Sequence, residues 1–77
     1  MQNTSSRFPR QSKLAGKLRQ YDVTYEEIAK AVGFSGPAAI EAIINGRVDY
    51  KVSIARKIKT YLSKKSKDNL MLEDILE

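Results

Sequence analysis

The strongest constraint on the fold is a run of helix start and stop signals between Thr24 and Gly46. Thr24-Tyr25-Glu26-Glu27 has the pattern of a capping box. The Thr24 hydroxyl can accept from the Glu27 amide, and the Glu27 carboxylate can reach back to the Thr24 amide. Ile28, Ala29 and Val32 then fall on one face of a short helix. Gly33 ends it, because glycine enters the left-handed conformation without a Cβ clash. Phe34-Ser35-Gly36 forms the turn, with Ser35 or Gly36 as the next cap. Pro37 opens a second helix at a position where its missing N–H costs nothing. Ile40, Ile43 and Ile44 form the inward stripe of that helix, while Ala38, Ala39, Glu41, Ala42 and Asn45 take its other faces. Asn45-Gly46 stops it.

The flanks extend the helical reading. Ser12 is the expected cap of an earlier helix reaching Gln20, with Leu14, Ala15, Leu18 and Tyr21 at helical spacing. Asp49 is the expected cap of a later helix reaching about Ser63, whose apolar residues are Val52, Ile54, Ala55, Ile58, Tyr61 and Leu62. Residues 1–9 read as a flexible basic arm, 10–63 as the folded domain, and 64–77 as a charged linker with a short acidic amphipathic helix. Within that last segment Leu72, Ile75 and Leu76 share one side. No stretch alternates as a strand would. The expected class is all-α, a compact bundle of four to five short helices containing a helix-turn-helix.

Composition narrows the chemistry. The 77 residues suffice for one domain with a modest core. With no cysteine and no histidine, the chain has no disulfide, no usual zinc ligand set and no Cys or His catalyst. No paired acids in a catalytic pattern and no glycine-rich phosphate loop stand out, so neither an enzyme nor a cofactor is expected. No apolar run approaches the roughly 20 residues a membrane span needs, and no apolar stretch follows Met1–Arg7 as in a signal peptide. The expected setting is the cytoplasm, with no membrane and no small-molecule substrate.

Net charge is +5, and its distribution is uneven. Residues 1–19 carry Arg7, Arg10, Lys13, Lys17 and Arg19 without an acid, and 50–67 carry Lys51, Arg56, Lys57, Lys59, Lys64, Lys65 and Lys67 without an acid. Residues 68–77 reverse the sign with Asp68, Glu73, Asp74 and Glu77. Two basic blocks suit a polyanionic partner such as nucleic acid slightly better than they suit an ordinary basic surface.

The segment from Thr24 to Ser35, followed by Ile40 and by Ile43-Ile44-Asn45-Gly46-Arg47, resembles the helix-turn-helix of lambda-repressor-like (Xre/Cro-type) DNA-binding regulators. It is also similar to LacI-type headpieces, and the resemblance spans roughly residues 10–62. Ala29 matches the small residue where the two helices touch, Gly33 the turn glycine, and Ile40 the buried residue that locks the crossing. The pattern departs from the family in that Ile40 follows Gly33 by seven positions where six is usual. Either the turn is one residue longer, with Pro37 opening the helix, or Ala39 takes that place and Ile43 to Asn45 shift out of step.

The resemblance implies binding of double-stranded DNA by a small transcriptional regulator of repressor type, as in phages or plasmids. The candidate contacts are Ser35, Pro37, Ala38, Ala39, Glu41 and Ala42 at the turn and recognition helix, Tyr25 ahead of it, Asn45, Arg47 and Lys51 behind it, and Arg7 and Arg10 in the arm. Tyr25 can donate to a phosphate or lie half-buried against Leu18. Asn45 can touch the backbone of DNA, cap its helix, or both. Base reading usually relies on Arg, Lys, Asn or Gln at the front of this helix, and here alanines and Glu41 stand there. Phosphate contacts and DNA shape are therefore expected to carry much of the energy. Arg56, Lys57 and Lys59 read as a solvated helix face. The acidic C-terminal segment can cover its own core, pair with a second copy as a homodimer, or compete with DNA. The competing function is a protein-interaction module, such as an antitoxin or an inhibitor of a host factor. RNA is disfavoured because no aromatic stacking surface is evident.

Overall fold

A computed structural model describes residues 7–77 of the chain. Four α-helices form: α1 (Ser12–Gln20), α2 (Tyr25–Val32), α3 (Pro37–Ile44) and α4 (Val52–Ser66), followed by a single 3-10 turn at Leu72–Asp74. No strand occurs among the described residues. The fold class is all-α. Helix α2 is central, packed against both α3 and α4, while α1 lies against α3 and the C-terminal turn. Leu14, Leu18, Ile28, Ile40, Ile58, Leu62 and Ile75 are completely enclosed between them.

Helix ends explain the connections. Thr24 caps α2 by accepting from the Glu27 amide at 3.0 Å. The reciprocal half of the expected capping box is replaced. The Glu27 carboxylate turns to α4, where it accepts from the Tyr61 hydroxyl and from Lys65 Nζ at 2.6 Å. Two partners from a packed helix, one of them charged, outweigh one exposed backbone amide. Gly33 closes α2 at φ +90°. Its amide donates to Lys30 O and the Phe34 amide to Ala29 O, the paired bonds of a Schellman ending. Four residues separate α2 from α3, whose first residue is Pro37 with Gly36 as cap. Ala29 and Ile40, the residues expected at the crossing, are both fully buried.

Three boundaries differ from the sequence reading. Helix α1 is capped by Gln11 and not by Ser12, which lies inside the helix. The Gln11 amide donates to Ile44 O, and the Glu77 carboxylate accepts from the Lys13 amide, so tertiary contacts do the work expected of the Ser12 hydroxyl. Helix α4 starts at Val52 after Lys51, not after Asp49, because Tyr50 is drawn into the core between them. It also runs to Ser66, through the expected linker. Its last turn is fixed by Lys65 on Glu27, by the Leu70 amide on Ser63 Oγ and by the Asp68 amide on Ser66 Oγ.

The C-terminal segment makes only the 3-10 turn and no α-helix. Leu70 and Ile75 are buried and Leu76 is half-buried, so the segment covers the core of its own domain.

Candidate nucleic-acid interface

The residues facing outward from α3 follow from its inward stripe. With Ile40, Ile43 and Ile44 buried, Pro37, Ala38 and Glu41 are exposed, and Ala39, Ala42 and Asn45 are half-buried at the flanks. Ser35 is exposed in the turn ahead. Tyr25, at the first position of α2, is 36 % exposed. It borders a shallow groove of about 250 Å³ with Pro37, Ala38 and Glu41, which joins the front of α2 to the front of α3. The opposite flank of α3 is different. There Ala39 and Ala42 line a more apolar groove of about 340 Å³ with Phe34, Val48, Ile54 and Lys51. The structure thus separates Lys51 from Tyr25 across the width of α3.

The C-terminal end of α3 is a basic corner. Gly46 leaves the helix at φ +76°, and its carbonyl accepts from the amides of Arg7 and Phe8 at 2.9 and 3.0 Å. The Gln11 amide adds a bond to Ile44 O at 2.9 Å. Arg7 and Phe8 are therefore hydrogen-bonded just beyond the end of α3, so this part of the expected arm is held against the domain. Ile44 O, met by the Gln11 amide, is a terminal carbonyl of α3 that the helix itself leaves unpaired, and Gly46 O, two residues beyond the helix, takes the Arg7 and Phe8 amides. The rest of the expected arm, residues 1–6, lies outside the described residues. This pairing places the Arg7 backbone at Gly46, the residue before Arg47, and Arg10 lines a groove of about 300 Å³ with Ser12, Arg19, Ile44 and Asn45. Arg7, Arg10, Arg19 and Arg47 are all exposed, and none takes part in an ion pair among the described residues.

Arg19 is the residue that sequence reasoning left out of the site. It sits one turn after Ala15 on α1, on the flank that meets Asn45. Its place in the basic block of residues 1–19 was visible. Nothing in the sequence aligned that flank of α1 with the end of α3.

Acids also stand near the interface, among them the exposed Asp49, which lines the groove that holds Lys51. Glu41 is exposed on α3 itself, where its charge opposes a phosphate. The two acids at the start of α2 are engaged elsewhere: Glu26 pairs with Lys30 at 3.6 Å and Glu27 with Lys65 at 2.6 Å. The Lys65 and Tyr61 donors hold the Glu27 carboxyl below the usual carboxylate range. In the core, the Tyr50 hydroxyl is buried without a hydrogen-bond partner among the described residues, and burial pushes its pKa upward. Among the described residues no three His, Cys, Asp or Glu side chains gather closely enough to hold a metal ion, and no helix is long and apolar enough to cross a membrane. In comparisons with known proteins, no family model matches the chain, and neither a curated protein nor a solved structure matches it.

Proposed function

We propose that the protein binds double-stranded DNA as a small regulator, with α2 and α3 acting as a helix-turn-helix. The observation that carries this reading is the basic corner at the end of α3. Arg10 and Arg19 line one groove with Asn45, Arg47 follows the end of α3, and Arg7 is held through its backbone amide on Gly46; these four exposed arginines come from three separate segments and none is in an ion pair among the described residues. Uncompensated cations from distant parts of a chain are costly to gather, and a phosphate backbone is the partner that repays the repulsion. Tyr25 on the groove at the front of α3 supplies a second contact, so the phosphates on either side of a major groove are both within the reading. The alanine-rich front of α3 offers few groups for base edges, and shape and backbone contacts then set the preference. A second copy on a neighbouring half-site would raise affinity through avidity.

Fluorescence anisotropy with a generic duplex across a salt series tests this. Binding should fall steeply with salt, and Arg47→Ala or Arg19→Ala should each lower the slope of log K against log salt by about 0.9. Absence of duplex binding at low salt overturns the reading. The competing reading, a protein-interaction module, is favoured by the apolar groove between α3 and the start of α4, beside which Val48 and Val52 stay about half exposed.

A further inference from the structure

The α4 face that sequence reasoning set aside as a solvated surface has an unusual charge balance. Helix α4 carries Arg56, Lys57, Lys59, Lys64 and Lys65 and no acid. Of these, among the described residues only Lys65 is in an ion pair, with Glu27. Arg56, Lys57 and Lys64 join Thr60, Tyr61 and Ala31 of α2 around a groove of about 380 Å³. At 100° per residue, Arg56, Thr60, Lys64 and Lys57 fall within one arc of about 100°, and Lys57 and Lys64 stand ~10 Å apart along the axis. That span exceeds several charge repeats of a duplex, which recur every ~1.7 Å of its axis. Of the α2 acids, Glu27 is taken by Lys65 and Glu26 by Lys30, which leaves Arg56, Lys57 and Lys64 without an ion pair among the described residues.

We propose that this α2–α4 face is a second phosphate-binding surface, so that one molecule holds two duplex segments. The inference rests on the proposed DNA binding at α3 and adds to it a second, separate site. Separation follows from α2, which turns Tyr25 toward the groove with α3, and Glu27 and Ala31 toward α4. The two surfaces thus lie on different flanks of the central helix. A protein partner fits this face less well. Protein interfaces are anchored by large buried side chains; of the exposed large hydrophobics, Phe8, Tyr25, Val48 and Met71 lie off this face, and Val52 stands at its end, one turn before Arg56 and outside the groove. Tyr61 is half-buried with its hydroxyl engaged by Glu27, and Ala31 is small. What remains is a cationic rim over a shallow floor, which suits a backbone of phosphates.

The test is stoichiometry by sedimentation with a short duplex of about 15 base pairs, roughly one and a half turns, in excess over the full chain at low salt. The wild type should bind two duplexes per chain. The triple variant R56Q/K57Q/K64Q, whose changes are exposed and whose fold is checked by circular dichroism, should bind one. R10Q/R19Q/R47Q should likewise bind one, and the combined variant none. One duplex per wild-type chain, or two on R56Q/K57Q/K64Q, overturns the second site while leaving the α3 reading intact. Loss of all binding in R10Q/R19Q/R47Q alone does the same. No binding by the wild type overturns both. If poly-L-glutamate binds the wild type but not R56Q/K57Q/K64Q while duplex stoichiometry stays at one, the face is for acidic protein and the proposal fails.

Discussion

At the scale of single residues, Gly46 shows how tightly the basic corner is built. Its φ of +76° already excludes most side chains, and an added Cβ would press into the Phe8 carbonyl oxygen and carbon, which belong to backbone. Left-handed geometry costs an L-residue about 1–2 kcal/mol, and the clash adds to that because the Phe8 backbone is tied to Gly46 by two amides' hydrogen bonds. Gly46→Ala is therefore expected to destabilise by about 2 kcal/mol or more in urea unfolding. It should also weaken duplex binding beyond what stability explains, because the Arg7 backbone would be displaced from Gly46. A variant as stable as the wild type would show that residues 7 and 8 do not rest on Gly46. The glycine was legible as a helix stop. The second reason for it, the close approach of Phe8, depends on a contact across 38 positions of chain that no local pattern encodes.

Among elements, the ends of α2 and α3 were the most legible, because their signals are local. Thr24, Gly33 and Pro37 each act within a few residues of the end they define. Boundaries set by tertiary partners were not legible. Glu27 has the position of a capping-box acid, yet its carboxylate staples α2 to α4 through Tyr61 and Lys65. The staple makes a pH prediction. Glu27 lies below its ordinary value of 4.5 in the folded state, so its contribution is present at pH values above 4.5 and is lost as pH falls through the lowered folded value. Tyr61 and Lys65 are raised by the same contact. Their shares are present below their ordinary values and fade as pH rises through the raised ones. Glu27→Gln should thus lower Tm at neutral pH, and the difference from wild type should shrink on acidification below 4.5. A difference that stays constant through that range would show that the carboxylate's charge is not what binds the two helices.

For the whole molecule, the C-terminal segment decides what kind of object this chain is. Its apolar residues were readable as a stripe, but a stripe does not say which core it completes. Ile75 is fully enclosed by its own chain. Ile75→Ala should therefore cost about 2–5 kcal/mol and do so independently of protein concentration. A loss of stability that fades as concentration rises would instead place Ile75 against a second copy. The segment is also tied to α1: Glu77 receives the Lys13 amide on its carboxylate and gives its own amide to Gln11 Oε1, while Gln11 gives its backbone amide to Ile44 at the end of α3. One glutamine thus links the last residue to the basic corner. Glu77, whose charge repels phosphate, becomes a bystander that hears what happens there: its amide resonance should move when a duplex engages α3, without any contact of its own.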